Sequence, residues 1–302
     1  MENMVRVTGY IRKRIEAGEF PGQDTLRVFP ALDGKYYYID ENGAYWRCCA
    51  YVENSYSLQA AGGEADAHCA GKAFGAFLGM LEGFPIAELH ETIPDFHNTV
   101  KRYEALEQAL AENLAGRKDE VEAEIAFARE RKADAGRLLA LAGSPALPLR
   151  VTHNDTKLNN VLFDSTTREP VCVVDLDTIM PGLSLYDYGD SLRFLGNTAA
   201  EDERDLRKVR FSMPLFKAYT EGYLEAAAGS LTATEKSLLP FSIQLMTYEC
   251  GMRFLTDYLN GDIYFRIHHP DDNLARCRTQ FALVAQMEGL MGEMEGFVAG
   301  LG

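Results

Sequence analysis

His153-Asn154-Asp155-Thr156-Lys157-Leu158-Asn159-Asn160, followed by Val171-Cys172-Val173-Val174-Asp175-Leu176-Asp177, organises the reading of this 302-residue chain. One short loop carries an Asp, a Lys two residues on and an Asn five residues on. A second acidic cluster then arrives at the end of an apolar strand. Phosphoryl transfer asks a protein mainly for positioning and charge neutralisation. These are parts it uses: a carboxylate to accept a hydroxyl proton, and an Asn and a second Asp to hold magnesium.

Asp155 comes directly after a strand and before an irregular turn, where its carboxylate can orient an acceptor hydroxyl and take its proton. Lys157 is placed to reach a γ-phosphate. Asn160 offers magnesium a hard oxygen ligand and Asp175 a charged one. Asp177 falls on the same face of an extended segment as Asp175, as a second metal ligand or a partner behind it. An isolated Asp-Asn loop is usually a turn, because these side chains bond their own backbone. The argument for chemistry is the ordered set: H-x-D-x-K-x-x-N, a hairpin, then a strand ending in Asp-Leu-Asp. His153 reads as a hydrogen-bonding residue that shapes the loop. Asp187 and Asp190, within Tyr186-Asp187-Tyr188-Gly189-Asp190, read as residues that cap or bond backbone in that loop.

Outward from the loop, the first fifty residues are the β-rich part. A helix over Met4 to Ile15 precedes short strands at 26–29, 35–39 and 45–50, with Asn42-Gly43 as the hairpin turn between the last two. Residues 51–63 read as a connector. A helix follows at 65–81, then a long Ala/Glu/Lys/Arg/Leu-rich stretch at 101–141, two helices broken near Gly116. A strand entry at 149–152 leads into the loop, and 161–163 with 171–174 reads as a hairpin. Helices are expected at 184–194, 201–227, 233–259 and 272–298. This order predicts an α+β, protein-kinase-like two-lobe fold: a small, truncated β-containing N-lobe over residues 1–52 and a large helical C-lobe over 53–302.

The formal charge of 30 − 45 = −15 argues against a nucleic-acid or anionic-membrane partner, since either needs a basic face. No run approaches the roughly 18 apolar residues of a membrane span, and Met1-Glu2-Asn3-Met4 lacks the features of a secretory signal. The six cysteines show no paired C-x-x-C spacing. Cys48-Cys49 and Cys172 read as buried small apolar residues, and a reduced, cytoplasmic protein is expected.

These motifs resemble the aminoglycoside phosphotransferase / choline kinase group of small-molecule kinases. Within it the chain is similar to the bacterial N-acetylhexosamine 1-kinases. The likeness runs through 149–162, Asp175-Leu176-Asp177-Thr178-Ile179-Met180-Pro181-Gly182, Gly189–Phe194, Ala218–Gly222, Glu249–Leu255 and Gly261–Phe265, and covers roughly residues 45 to 290. The resemblance implies ATP and Mg2+ as cofactors and the anomeric hydroxyl of N-acetylglucosamine or N-acetylgalactosamine as acceptor. It implies Asp155 as base and acceptor-binding residue, Asn160 and Asp175 as metal ligands, and Arg253 and Tyr264 as sugar contacts. Ala50-Tyr51-Val52 matches the hinge whose backbone bonds the adenine edge. From its own surroundings, Arg253 in an apolar helix reads as a structural ion-pair residue, and Tyr264 as a packing aromatic.

Members of the group carry a strand, a Gly-rich loop and further strands before the helix that begins here, and no such loop stands in the first fifty residues. The expectation is a chain lacking its true N-terminus, with a half-open ATP site and an exposed sheet edge suited to a homodimer. Two other readings stand beside the sugar kinase. One is a kinase for choline, homoserine or an aminoglycoside; the other is a non-catalytic kinase-like binding protein.

Overall fold

The computed structural model describes residues 1–227 and 229–301. They pack as two compact units. The first comprises Met1–Ile93, Leu149–Asp187 and Lys217–Leu231, and the second Pro94–Pro148, Tyr188–Phe216 and Thr232–Gly302. The chain is mixed α and β, as the sequence order predicts.

In the first unit, helix α1 (Glu2–Glu16) buries Met4, Val7 and Ile11, one stripe at helical spacing. It is followed by β1 (Val28–Phe29), β2 (Tyr38–Ile39), β3 (Tyr45–Trp46) and β4 (Cys48–Cys49). The expected hairpin forms with Tyr38 opposite Trp46 and Ile39 opposite Tyr45. Its turn works because Gly43 adopts φ +78° and Asp40 Oδ1 accepts from the N–H groups of Asn42 and Ala44. The single strand expected over 45–50 breaks at Arg47. Before it the chain pairs with β2; after it, with β1, placing Val28 opposite Cys49.

The expectation for Cys48 and Cys49 needs correction. Cys48 is exposed and Cys49 half-buried, because these pairs are two residues long and Phe29, Tyr38, Tyr45 and Trp46 around them are also exposed. Cys172 is buried as expected, which pushes its thiol up to about 12, and all six cysteines are free.

Helix α2 (Glu64–Met80) lies within the same unit, and Arg14 of α1 donates from Nη1 to the Gly79 and Met80 carbonyls at 2.9 and 3.1 Å. Those carbonyls are among the ones a helix end leaves unpaired. Three antiparallel strands follow in the order β5 (Ser55–Tyr56), β7 (Val161–Asp164), β8 (Pro170–Val173), and β6 (Arg150–Thr152) pairs with β9 (Met180–Gly182). Strand β5 lies in the stretch expected to be a plain connector. It pairs because Tyr56 sits opposite Phe163 on β7, their rings 5.8 Å apart.

Residues 217–226 end a helix expected from residue 201. That helix, α6 (Met213–Ala226), starts twelve residues late. Upstream, Glu203 and Asp205 bond backbone N–H groups and Arg207 and Lys208 within turns, and Pro214 favours a first helical turn. α2 and the second half of α6 approach backbone to backbone. A Cβ on Gly71 would overlap the Tyr219 carbonyl, one on Gly75 the Tyr223 carbonyl, and one on Gly222 the His68 carbonyl.

The second unit is helical. It contains α3 (Thr99–Glu112), α4 (Glu122–Glu130), most of α5 (Ser184–Leu195), α7 (Ala233–Leu259) and α8 (Asp272–Gly300). The break expected near Gly116 is a turn through Asn113 and Gly116, both at positive φ, and a second break follows Glu130. α7 is buried over most of its length, polar residues such as Gln244, Glu249 and Asp257 included, and is packed by α3 and α8. Thr232 and Glu235 form a reciprocal capping box at its start. Among the described residues no helix is long and apolar enough to cross a membrane.

Gly71→Ala should destabilise the protein by about 1–3 kcal/mol through overpacking. Gly9→Ala, at an open position of α1, should stabilise it by about 0.5–1 kcal/mol. Denaturant midpoints compare the two, and equal effects would remove the close-packing account.

Candidate active site

The loop after β6 is held from several sides. The buried Asp187 carboxylate accepts the His153 N–H at Oδ2 (2.8 Å) and the Asn154 N–H at Oδ1 (2.7 Å). Thr156 Oγ1 donates to the Asp187 carbonyl at 2.7 Å, and Thr178 Oγ1 to the His153 carbonyl at 2.6 Å. Asn154 takes φ +65°, a conformation Asn tolerates, and its Nδ2 donates to the carbonyls of Thr152 and Thr178. The buried His153 ring accepts the Asp155 N–H at Nδ1 (3.3 Å), which leaves the hydrogen on Nε2 to donate to the Val174 carbonyl at 2.8 Å. With both ring nitrogens used, His153 shapes the loop, as expected. Asp187 bonds loop backbone as expected too. Asp190 pairs with Arg193 at 3.0 Å, and Arg193 also reaches Glu201.

Around this frame the first unit brings together Asp155, Lys157, Asn160, Asp175 and Asp177. Asp155 Oδ1 stands 2.8 Å from Lys157 Nζ, both partly exposed. Asn160 is buried; its Nδ2 donates to the Asp155 carbonyl at 2.8 Å, and its own carbonyl accepts the Val174 N–H at 2.9 Å. That second bond ties the strand end bearing Asp175 to the loop bearing Asp155. Asp175 sits at φ +60°, ψ +54°, a left-handed conformation costly for a residue with a side chain.

Past it, Leu176–Thr178 is a 3-10 turn, so Asp177 is not on an extended segment as the sequence suggested. Its carboxylate receives both Nη atoms of Arg47, Nη2 to Oδ2 at 2.7 Å. Arg47 holds the Asp177 carboxyl below the usual carboxylate range, against a smaller opposing effect of burial. Arg47 escaped the sequence reading; its trace there is the charge interrupting a strand pattern between Trp46 and Cys48. At the proposed hinge, the Ala50 N–H is taken by the Arg27 carbonyl (2.8 Å) and the Val52 carbonyl accepts Ser55 Oγ (2.7 Å), while the Tyr51 side chain is 83 % exposed.

In the second unit Arg253 and Tyr264 border a cavity of about 270 Å³ with Arg102, Thr256, Asp257 and Phe265. Arg253 makes no ion pair among the described residues, contrary to its expected structural role. Its guanidinium lies 5.9 Å from the ring centres of Phe96 and Tyr264 and 5.5 Å from that of Phe265. Asp257 is spent on the loop that presents Tyr264: it accepts the N–H groups of Ile263, Tyr264 and Phe265 and Nδ2 of Asn273. Tyr264 itself is 72 % exposed. The buried Glu249 carboxylate bonds His97 at 2.9 Å and Thr99 Oγ1 at 2.6 Å, which hold it in its charged form against the effect of burial. Arg102 donates from Nη2 to the Phe96 carbonyl at 2.7 Å; burial and then the neighbouring Arg253 lower its pKa.

Residues 35–227 match the family model described as the phosphotransferase enzyme family. Among solved structures the chain is similar to a microcompartment-associated aminopropanol kinase, with 15 % identity, 96 % of this chain and 83 % of that chain covered, and a TM-score of 0.60. It is also similar to a choline/ethanolamine kinase family protein from Mesorhizobium loti (15 % identity, 98 % and 84 % covered, TM-score 0.53). A third is a spectinomycin phosphotransferase in complex with ADP and spectinomycin (12 % identity, 95 % and 82 % covered, TM-score 0.54). At these identities the likeness is one of fold. It is the expected kinase-like α+β fold, with a small sheet-bearing N-lobe and a helical C-lobe.

Asp187→Ala should cost about 3 kcal/mol, because it leaves two buried loop N–H groups without their charged acceptor; urea unfolding measures it. Arg47→Ala should let the Asp177 carboxyl titrate at a higher pH, followed by NMR. A depressed folded-state pKa stabilises above the ordinary carboxylate range, and that contribution is lost as pH falls through the folded value. For this half-exposed pair the loss should stay below about 1 kcal/mol.

Proposed function

The chain belongs to the phosphotransferase enzyme family, and from that premise we propose that it is an ATP- and magnesium-dependent small-molecule kinase acting on the anomeric hydroxyl of an N-acetylhexosamine. The observation that carries the kinase reading is the clamped loop. Asp155, Asn160 and Asp175, read from sequence as base and metal ligands, are tied together through the Asn160–Asp155 and Val174–Asn160 bonds.

Asn160 and Asp175 fit magnesium. With Nδ2 committed to Asp155, the Asn160 amide has its oxygen left as a hard donor, and Asp175 adds one carboxylate. Among the described residues no group of three or more His, Cys, Asp and Glu side chains forms a closed metal site. Magnesium in nucleotide sites commonly takes one or two carboxylates together with substrate phosphates and water. Bound there, it would neutralise charge on the phosphate oxygens.

In this reading Asp155 accepts the proton of the acceptor hydroxyl. That oxygen bonds to the γ-phosphorus as the bond from phosphorus to the bridging oxygen of ADP breaks. Lys157, held near Asp155 by their ion pair, faces the transferred group. Asp177 anchors Arg47 beside Asp175, and serves as a metal partner only where Arg47 yields. Tyr51 and Val52, with Ala50, carry the adenine edge, while Arg253 and Tyr264 contact the sugar. In this reading residues 1–52 make up the small lobe and 53–302 the large one. Six free cysteines support a reducing, cytoplasmic setting.

Asp155→Asn should reduce turnover by about 10²–10⁴-fold, the usual share of a general base, with an unchanged circular dichroism spectrum. Asp175→Asn should raise the magnesium concentration needed for half-maximal rate. Phosphate transfer from ATP to N-acetylglucosamine, N-acetylgalactosamine, choline, homoserine and kanamycin tests the acceptor. Turnover of choline or kanamycin with neither amino sugar would overturn the sugar reading.

A further inference from the structure

Resting on the reading of Arg253 and Tyr264 as acceptor contacts, we infer that Arg102 is a specificity residue. With Arg253 it makes this cavity select acceptors that carry an acyl or carboxylate oxygen and reject those with a protonated amine.

The charges around the cavity are lopsided. Of its bordering residues, Arg102 and Arg253 are cationic and Asp257 is the acid. The Asp257 carboxylate is filled by three backbone N–H groups and an Asn273 amide. Glu249, one helical turn before Arg253, is buried, bonded by His97 and Thr99, and already set against the charges of Arg102 and Arg253. Among the described residues, no carboxylate with spare capacity therefore borders the cavity to meet an ammonium.

The other means of binding an organic cation is a set of aromatic faces. Here that place is taken: Phe96, Tyr264 and Phe265 surround the Arg253 guanidinium itself. What the cavity does offer is donors. Arg102 is anchored by Nη2 to the Phe96 carbonyl, and its buried Nε has no hydrogen-bond partner among the described residues. A guanidinium has five N–H donors and no acceptor, so what complements it is an oxygen. The neighbouring Arg253 adds to the cost of the charge on Arg102, which an oxygen dipole or anion between them would relieve and an ammonium would increase. The volume, about 270 Å³, is near the lower bound for small-ligand pockets and suits a single small acceptor.

The test is equilibrium binding by titration calorimetry on the whole protein, with matched pairs that differ in an acyl group. One pair is N-acetylglucosamine and glucosamine; the other is N-acetylethanolamine and ethanolamine, all at a pH where the free amines are protonated. The acyl member of at least one pair should bind tighter by about tenfold or more. Arg102→Gln should weaken the acyl member by about tenfold, the scale of one charged hydrogen bond, and shrink the ratio within the pair. Arg102→Lys should keep part of the ratio by keeping the charge.

If the sugars fail and the acyl ethanolamine binds in an Arg102-dependent way, the sugar reading falls and this inference stands. If wild-type protein phosphorylates N-acetylglucosamine and Arg102→Gln leaves the ratio unchanged, this inference alone falls. Tighter binding of the protonated members, or binding of no member of either pair, overturns it.

Discussion

The catalytic loop depends on one carboxylate. Asp187 lies in the first turn of its helix, where negative charge is favoured, and it is buried. A buried charge is tolerable only when its oxygens are filled, and here two consecutive loop N–H groups fill them. Those N–H groups belong to His153 and Asn154, so the bonds fix the backbone immediately before Asp155. From there the order spreads: His153 reaches Val174, Val174 reaches Asn160, and Asn160 reaches back to Asp155. Two left-handed residues, Asn154 and Asp175, each cost on the order of 1 kcal/mol in this chain of bonds. The network offsets that strain and holds the proposed base and metal ligands in one arrangement before any ligand arrives.

What was legible in the sequence is what local rules decide. α1, α2, α7 and α8 follow from apolar periodicity and end signals, and the Thr232/Glu235 box and the Gly43 turn are local chemistry. The misses share a cause. Met180-Pro181-Gly182 has a poor composition for a strand, yet it is β9 because Val151 and Thr152 lie opposite Pro181 and Met180. β5 likewise exists through its partner β7. Strands of two or three residues carry too little pattern to announce themselves, and their pairing is settled by distant chain. The reading of Cys48-Cys49 as buried failed for the same reason: an apolar pattern does not say whether a second layer covers it.

The site divides along the same line. Asp155, Asn160 and Asp175 were visible because they fall in one ordered motif within about 25 residues of sequence. Arg47 was not, since its partner Asp177 lies 130 residues away. Arg102 and Arg253 are as far apart in sequence and converge through the packing of α3 on α7.

That convergence bears on how charge should be read. A net charge of −15 suggests a protein ready for cationic ligands. Net charge, however, averages over side chains whose capacity is already used. Asp257 and Glu249 count fully in that sum and yet are buried and engaged by hydrogen bonds within their own unit. Arg102 and Arg253 are a small part of it and border the cavity, and Arg102 Nε has no hydrogen-bond partner among the described residues. What a ligand meets is the unfilled hydrogen-bonding capacity at the wall, and here that capacity is cationic in an acidic protein.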